Sequence, residues 1–415
     1  MKDEHTTLAV SILMSIVAGI FSYKILPKLR ETFVRVNLSG RDMLKADKPL
    51  LPETMGLPIA IIYLIVLFSF IPFPFINWFE GAKLVHEEQS DFATFPYNKL
   101  GEILAAILAI QSMVLLGFAD DVLDVRWRYK VWLPAIAGIP LLIFYYTNMG
   151  ATHVVLPLQL RPYLGELVDL GILYYIYMAM VIIFCTHSIN ILAGINGVEA
   201  GQSLVIAISV IMNDMLYIFN NPDGASLEAH LFSLYFLIPF VGVTLALLYH
   251  NWYPARVFVG DTFCYFAGMT FAVVGILGHF SKTLMLFFLP QIFNFIYSCP
   301  QLFRFVECPR HRMPRFDPTT GLLQCSTVRL NDKKPTRFLG NIMIKFLHAI
   351  GLLKVFQYDK NGRILECNNL TLVNLVLAYV GPMSEQNTTL SILCIQVLSS
   401  LLAFIIRYKL VHFVY

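Results

Sequence analysis

The sequence predicts an all-α polytopic membrane protein with about ten transmembrane helices and a small mixed α/β cytosolic insertion before the last helix. This prediction follows from the composition, because 57% of the 415 residues are hydrophobic and only 14% are charged. A soluble domain carries about 25% charged residues, so the composition excludes a water-facing globular protein. The net charge of +3 is too small to indicate a protein that binds nucleic acid.

Apolar runs define the predicted spans, since a membrane helix needs roughly 20 mostly apolar residues. In chain order the ten runs are 8–23, 57–78, 100–119, 132–146, 170–186, 204–219, 231–248, 263–277, 284–303 and 390–406. The fourth and the eighth are the shortest. Two further apolar stretches, 342–356 and 370–380, are amphipathic or too short to cross a bilayer, and we expect them to form helices outside the membrane.

The distribution of basic residues predicts the orientation of these spans. About 23 of the 30 lysine and arginine residues follow odd-numbered runs, and basic residues accumulate on the cytosolic side of a membrane. We therefore predict that the odd-numbered loops face the cytosol and that both termini are lumenal. The chain then divides into a transmembrane core (1–303), a charged cytosolic insertion (304–389) with a hairpin turn at 359–362, and a final helix with its lumenal end (390–415).

Carboxylates follow the third predicted span, at Asp120, Asp121 and Asp124, with Lys130 a few residues further on. Adjacent carboxylates beside a bilayer need a compensating cation, and Mg²⁺ typically binds one or two carboxylates together with substrate phosphates. An isolated pair of aspartates is, however, more often a solvated helix end. The motif by itself leaves both interpretations open.

Three further polar groups also follow odd-numbered spans. The loop after the fifth span combines glycines with Asn190 and Asn196, which suits either a ligand-binding loop or a tight connection between helices. Asp261 precedes the eighth span, where it can cap the helix or bind a metal. Arg310 and Arg312 can grip a pyrophosphate or face anionic lipid.

Together these groups place carboxylates, amides, glycines, a lysine and paired arginines at one membrane face. This combination is suited to binding a diphosphate with Mg²⁺, and its position suits a reaction between a soluble nucleotide and a membrane lipid. A transporter of anionic solutes is the main alternative function. It would place ionisable residues near the middle of the spans or contain inverted repeats, and neither pattern is evident in the sequence.

Three segments carry a resemblance to a known family: 191–206 (ILAGINGVEAGQSLVI), 247–282 and the CPRHR run at 308–312. The chain resembles the polyprenyl-phosphate N-acetylhexosamine-1-phosphate transferases along nearly its whole length, and in particular the eukaryotic members that act on dolichyl phosphate. The resemblance implies transfer of N-acetylglucosamine-1-phosphate from UDP-N-acetylglucosamine, release of UMP, an Mg²⁺ cofactor, a multi-pass enzyme of the endoplasmic reticulum membrane that starts the N-glycan precursor, contact with membrane lipids, and a homodimer.

The resemblance also implies roles for residues around the reacting phosphates. Asn190 and Asp261 would hold Mg²⁺ against the pyrophosphate, and Lys130 would neutralise its oxygens. Asp120, next to Asp121 in the acidic motif, would activate or position the lipid phosphate. We favour direct attack by that phosphate, because it is already a nucleophile, over a route through an aspartyl-phosphate at Asp120 or Asp121.

The other residues implied by the resemblance bind the nucleotide and the sugar. Phe258 and Asn196 would contact uracil, the backbone around Met43 would complete that pocket, and Glu53 would lie near the ribose. The pyrophosphate and the N-acetylglucosamine would be contacted by Arg310, His311, Arg312 and Asp124.

Overall fold

The computed structural model describes residues 2–76, 78–79, 95–220, 224–309, 312–330, 338–359 and 362–411. Within these ranges nine segments are helical, long and apolar enough to cross a membrane, and a bent helix pair at 281–302 makes a tenth if it is one span. The predicted polytopic all-α fold with about ten spans is therefore confirmed.

The helices and strands have the following bounds. The helices are α1 (Lys2–Arg35), α2 (Gly56–Phe70), α3 (Tyr97–Leu123), α4 (Trp127–Lys130), α5 (Leu133–Ala137), α6 (Ile139–Phe144), α7 (Arg161–Leu164), α8 (Ile172–Ile191), α9 (Val198–Asn220), α10 (Gly224–Asn251), α11 (Gly260–Leu277), α12 (Ser281–Phe287), α13 (Leu289–Leu302), α14 (Phe338–Ala349), α15 (Leu372–Val380) and α16 (Glu385–Ile405). The strands are β1 (Ser39–Arg41), β2 (Leu50–Pro52), β3 (His153–Val155), β4 (Leu167–Asp169), β5 (Arg315–Asp317), β6 (Leu322–Gln324), β7 (Thr327–Arg329), β8 (Val355–Tyr358) and β9 (Ile364–Asn368).

Two of the predicted spans are interrupted helices. The fourth consists of α4, α5 and α6 with a π-helical turn at Tyr145–Met149, and Pro134 and Pro140 stand at the starts of α5 and α6. The ninth bends by 73° between α12 and α13, where Pro290 lies in the first turn of α13. Proline lacks a backbone N–H and clashes with the preceding turn, so it is tolerated at a helix start and breaks a continuous helix.

The bent pair crosses the bundle as a single span. It starts beyond the C-terminal end of α11, and Asn294 of α13 donates from Nδ2 to the carbonyl of Ile191, at the C-terminal end of α8, at 3.2 Å. That end of α8 is also where α16 begins, since Glu385 of α16 accepts a hydrogen bond from the main-chain N–H of Asn196. The pair therefore returns the chain to the bundle end from which α11 started.

Helix α11 lies at the centre of the bundle and is buried over nearly its whole length. It packs closely against two helices at glycine contacts. A β-carbon at Gly268 would lie 2.3 Å from Cα of Thr186 on α8, and one at Gly117 of α3 would lie 2.8 Å from Cα of Thr262. Small residues allow such close backbone approach between membrane helices, and they fix the relative positions of α3, α8 and α11.

The chain between α13 and α16 forms a mixed α/β unit. Strands β5 and β6 pair antiparallel, and β7, β9 and β8 form a three-stranded antiparallel sheet next to α14 and α15. The helix predicted at 370–380 corresponds to α15. The helix predicted at 342–356 is only partly correct, because α14 ends at Ala349 and β8 follows, its edge paired with β9. The hairpin turn predicted at 359–362 lies between antiparallel β8 and β9, with its central residues 360–361 outside the described ranges.

Candidate active site

A cavity of about 720 Å³ opens at the end of the bundle where α3 and α8 end and α9, α11 and α16 begin. Its wall combines the β1–β2 hairpin, the loop between α8 and α9, the start of α11 and the segment 313–316. Six of the residues that the sequence singled out line it: Met43, Glu53, Asn190, Asn196, Phe258 and Asp261.

Asp261, in the first turn of α11, is the centre of a charged cluster. Its carboxylate accepts a hydrogen bond from Asn190 Nδ2 at 2.8 Å and forms an ion pair with Lys130. Lys130 also pairs with Asp120, with 2.5 Å between Nζ and Oδ2. One ammonium group thus bridges two carboxylates from different helices, which limits the cost of holding them close together.

Asp120 is buried behind Asp261, and both of its oxygens are engaged. The hydroxyl of Tyr265 donates to Oδ2 at 2.9 Å, and the main-chain N–H of Val125 donates to Oδ1 at 3.2 Å. The ring of Tyr265 also lies 5.5 Å from Lys130 Nζ, in cation–π geometry. Asp120 therefore holds the position of Lys130.

Asp121 serves the backbone of α11. Its Oδ1 accepts from the main-chain N–H of Asp261 at 2.7 Å, and its Oδ2 accepts from the N–H and the hydroxyl of Thr262 at 3.1 and 2.5 Å. The first N–H groups of a helix lack intrahelical partners, and a carboxylate satisfies them well. The capping carboxylate of α11 is thus Asp121 of α3, and Asp261, for which the sequence left a capping role open, is free to face the cavity.

Gly260 permits this contact between α3 and α11. Its φ of +75° lies in the left-handed region, and an added β-carbon would lie 2.7 Å from Cα of Thr54 and 2.8 Å from Oδ2 of Asp121. Both the backbone conformation and the available space therefore require glycine at this position.

Gly260→Ala should lower the free energy of unfolding by at least about 2 kcal/mol, because the left-handed conformation and the clash with the Thr54 backbone and the Asp121 carboxylate both oppose the methyl group. Thermal unfolding of the purified protein in detergent measures this. Gly165→Ala is the matched control, since Gly165 has a φ of +83° and, among the described residues, no atom lies within 4 Å of an added β-carbon. Equal destabilisation of the two variants would contradict the role of the close contact.

Asn196, in the loop between α8 and α9, is held by two other segments. Its Nδ2 donates to Asp42 Oδ2 at 2.9 Å, its main-chain N–H donates to Glu385 Oε1 at 2.9 Å, and its carbonyl accepts from the hydroxyl of Thr389 at 2.8 Å. Lys45 pairs with both Asp42 and Glu385. The position of this loop therefore depends on the β1–β2 hairpin and on the last helix.

The β1–β2 hairpin supplies the opposite wall of the cavity. Met43 is half-exposed in its turn, and Phe258 is joined to the hairpin by a hydrogen bond from its main-chain N–H to the carbonyl of Pro52 at 2.8 Å. A β-carbon at Gly40 would lie 3.0 Å from Oε2 of Glu53 and 3.5 Å from the ring of Phe258. An aromatic face and a carboxylate thus lie side by side in this wall.

The pKa of Glu53 is raised above its ordinary value. The main cause is the loss of hydration within the cavity wall, and the negative charges of Asp121 and Asp261 act in the same direction. Protonation of Glu53 therefore begins at a higher pH than for a carboxyl group in water.

Five described residues implied by the resemblance are not among those that line the cavity: Asp120, Asp121, Asp124, Lys130 and Arg312. Asp124 is exposed and ends α3 with a left-handed φ of 47°. Arg312 is half-buried beside the lining residue Met313, and its carbonyl accepts from Asn374 Nδ2 at 2.7 Å. Arg310 and His311 lie outside the described residues.

Several residues of the site were not singled out by the sequence. They are Asp42, Lys45, Glu199, Asn251, Tyr265 and Glu385. Asn251 holds the loop from the other side, since its Oδ1 accepts from the N–H of Gly197 at 2.9 Å. Among these residues, only Glu385 could have been identified from the sequence. Its carboxylate lies just before an apolar run, and a charge at that position needs a partner.

The donors around Asp261 fit a magnesium ion that is also bound by a substrate. Asn190 and Asp261 offer an amide oxygen and a carboxylate, which are hard ligands, and both line the cavity. In the part of the chain that the structure describes, no group of three or more His, Cys, Asp or Glu side chains is arranged to hold a metal. Mg²⁺ usually takes only one or two carboxylates, with substrate phosphates and water as its other ligands, so the donor set suits that binding mode.

Comparison with known proteins gives a consistent result. A family described as "Glycosyl transferase family 4" matches residues 103–279. The chain is 45% identical over 426 aligned residues, covering 100% of this chain and 95% of the relative, to the UDP-N-acetylglucosamine–dolichyl-phosphate N-acetylglucosaminephosphotransferase of Schizosaccharomyces pombe. Proteins of the same name are 46% identical in Saccharomyces cerevisiae (93% and 88% covered) and 41% identical in Dictyostelium discoideum (95% and 88% covered).

Proposed function

We infer the function from the family: the chain belongs to the UDP-N-acetylglucosamine–dolichyl-phosphate N-acetylglucosaminephosphotransferases. It is an enzyme that transfers N-acetylglucosamine-1-phosphate from UDP-N-acetylglucosamine to dolichyl phosphate and releases UMP. The observation in the structure that best supports this reaction is the cluster of Lys130, Asp120, Asp261 and Asn190 at a cavity of about 720 Å³. None of the relatives described above is named as a transporter.

In the proposed reaction an oxygen of dolichyl phosphate attacks the phosphorus that bears the sugar. A new phosphorus–oxygen bond forms, the bond to the bridging oxygen breaks, and UMP leaves with the electron pair. Such a transfer depends on alignment and on neutralisation of charge more than on covalent help from the protein. We assign the neutralisation of the negative charge on the pyrophosphate to Lys130, which Asp120 and Asp261 hold in place.

Direct attack is supported by the engagement of the two neighbouring aspartates. Asp120 is bonded to Lys130, Tyr265 and a main-chain N–H, and Asp121 binds the first turn of α11. A carboxylate would lose these bonds on becoming an aspartyl-phosphate. Incubation with UDP-N-acetylglucosamine labelled in the sugar phosphate, without acceptor lipid, should leave the protein unlabelled. Acid-precipitable label on the wild type but not on Asp120→Asn or Asp121→Asn would contradict direct attack.

We propose that Asn190 and Asp261 hold Mg²⁺ when substrate is bound. The ion would supply positive charge to the pyrophosphate oxygens. Asn190 orients the Asp261 carboxylate through its 2.8 Å hydrogen bond, and Lys130 balances the negative charge of that carboxylate.

The nucleotide is proposed to lie between the β1–β2 hairpin and the α8–α9 loop. Phe258 offers an aromatic face to uracil, Asn196 offers an amide, and Glu53 lies where a carboxylate can accept hydrogen bonds from ribose hydroxyls. The sugar and the pyrophosphate would extend toward Met313 and Pro314 of the cavity wall. Arg310, His311 and Arg312 stay proposed contacts from the resemblance. Asp124 stays a proposal from the resemblance.

The affinity for UDP-N-acetylglucosamine should fall as the pH decreases through the raised pKa of Glu53. Above that pKa the side chain is a carboxylate that accepts charge-assisted hydrogen bonds; below it, the acceptor charge is lost. Binding measured calorimetrically at several pH values tests this, because it does not involve titration of the acceptor lipid. Glu53→Gln should bind more weakly and without this pH dependence. An unchanged dependence in Glu53→Gln would contradict the assignment.

We further propose that the enzyme lies in the endoplasmic reticulum membrane, with the site facing the cytosol and both termini in the lumen. The distribution of basic residues supports this orientation, and ten crossings, with the bent pair counted as one span, would place both termini on the same side. Cys308 is exposed next to the mixed α/β unit. A membrane-impermeant maleimide added to sealed microsomes should therefore label the wild type more strongly than Cys308→Ser. Labelling of Cys308 only after the membrane is opened would reverse the orientation. The homodimer stays a prediction from the resemblance.

The overall reaction is tested with the purified protein in detergent. Addition of UDP-N-acetylglucosamine, dolichyl phosphate and Mg²⁺ should release UMP and form an equal amount of N-acetylglucosaminyl diphosphodolichol. Omission of the lipid should abolish UMP release. Uptake of intact UDP-N-acetylglucosamine into proteoliposomes without UMP release would instead support a transporter.

A further inference from the structure

The side-chain amide of Asn196 has a fixed orientation. Its Nδ2 donates to Oδ2 of Asp42, and its main-chain N–H and carbonyl are bonded to Glu385 and Thr389. Asn196 is 6% exposed and lines the cavity. Three of its four polar groups are thus held by segments distant in the sequence.

The fourth polar atom, Oδ1 of Asn196, meets no hydrogen-bond donor among the residues that the structure describes. A carboxylate can only accept, so Asp42 requires the NH₂ group of the amide on its own side. A flipped amide would set the oxygens of Asn196 and Asp42 against each other without a proton between them. The amide oxygen therefore remains as an acceptor for a ligand.

Asp42 is itself held from two sides. Its Oδ1 accepts from the N–H of Leu44 at 3.1 Å, and its Oδ2 lies 3.2 Å from Nζ of Lys45. Lys45 also pairs with Glu385, which bonds the backbone of Asn196. The ammonium group of Lys45 compensates the charges of Asp42 and Glu385. The bonds among these residues and Asn196 therefore resist rotation of the Asn196 side chain.

We propose that Asp42 determines the preference for uracil by holding the amide of Asn196 with its oxygen toward the base. This inference rests on the proposed binding of a uridine nucleotide in the cavity. The N3–H of uracil is a donor that can bond to Oδ1 of Asn196, whereas N3 of cytosine is an acceptor that faces the same oxygen without a proton. A site built around one hydrogen bond rejects an analogue that leaves its buried polar group unpaired. Asp42 is thus a positioning residue that acts through Asn196.

The test compares the binding of UDP and CDP to the purified full chain in detergent by calorimetry. Wild type should bind UDP much more tightly than CDP. In Asp42→Asn the new amide can donate to Oδ1 of Asn196, so the Asn196 amide can flip. The ratio of the CDP and UDP dissociation constants should then fall by at least about tenfold. Asp47→Asn makes the same change in the same loop at an exposed residue that has no hydrogen bond or ion pair with any described residue, and it should keep the wild-type ratio.

A second variant separates orientation from a general loss of structure. In Asp42→Asn combined with Asn196→Asp, the carboxylate at position 196 presents an acceptor in either orientation, so the preference for UDP should return. A UDP analogue methylated at N3 should bind wild type poorly, because it has no donor at that position. This measurement needs no variant, so tight binding of the analogue refutes the inference even if Asp42→Asn does not fold.

Three results would overturn the inference. The first is a ratio of CDP to UDP dissociation constants in Asp42→Asn that equals the wild-type ratio, and the second is a double variant that does not regain the preference for UDP. The third is binding of the N3-methylated nucleotide as tight as that of UDP. Wild type that releases UMP from UDP-N-acetylglucosamine but binds UDP and CDP equally would refute this inference alone. Wild type that neither binds UDP nor releases UMP would refute the proposed function itself.

Discussion

Asp261→Ala should lower the rate of UMP release by at least about 1,000-fold, a loss of roughly 4 kcal/mol in transition-state stabilisation. The carboxylate contacts Lys130 and Asn190 and is one of the two proposed ligands of Mg²⁺. Its removal leaves Lys130 paired with Asp120 alone and deletes the carboxylate proposed to bind Mg²⁺. The decrease should appear in kcat measured with dolichyl phosphate and Mg²⁺ in detergent.

Asp47→Ala is the control for this experiment, because Asp47 is exposed on the β1–β2 hairpin and does not line the cavity. It should retain the wild-type rate. The thermal stability of both variants should be compared with wild type, so that unfolding is not mistaken for a loss of catalysis. A folded Asp261→Ala enzyme with wild-type activity would show that the site has been assigned to the wrong residues.

Lys130→Met should strongly lower the activity and also destabilise the fold. The substitution leaves the carboxylates of Asp120 and Asp261 close together without the ammonium that bridges them. Removing one member of a buried ion pair typically costs about 3–5 kcal/mol, so the unfolding temperature should drop clearly. The rate should fall by at least about 100-fold, because charge neutralisation at the pyrophosphate is lost.

A double variant distinguishes the two effects of Lys130. Adding Asp120→Asn to Lys130→Met removes one of the uncompensated carboxylates, so the unfolding temperature should partly recover while activity stays low. Full recovery of activity in the double variant would contradict a catalytic role for the ammonium group. If the single variant is as stable as wild type, the bridging of the two carboxylates does not contribute to stability.

The sequence was most informative about the spans and about the polar residues at their ends. A run of apolar residues is a local property, so the predicted runs correspond to helices, although α1 and α10 extend well beyond runs 8–23 and 231–248. Asp261 and Asn190 could be proposed as neighbours because each lies at the predicted cytosolic end of its span. That argument places residues on a membrane face, but it gives no distances.

The partners of these residues could not be predicted, because they come from distant parts of the chain. Nothing local indicates that Asp121 serves the first turn of α11 while Asp120, one residue earlier, binds Lys130. The contact between Glu385 and the loop at Asn196 depends on the packing of α16. The error at 342–356 has a similar origin, since pairing with β9 outweighs the helical pattern in β8.

The position of Glu385 has a consequence for biosynthesis. A ribosome makes the chain from the N-terminus, so the α8–α9 loop enters the membrane about 190 residues before α16 is synthesised. Until then the main-chain N–H of Asn196 and the ammonium of Lys45 lack the carboxylate that joins them. The loop that carries Asn196 therefore gains this partner only after the last helix has been made, so the full set of contacts around the loop forms late in biosynthesis.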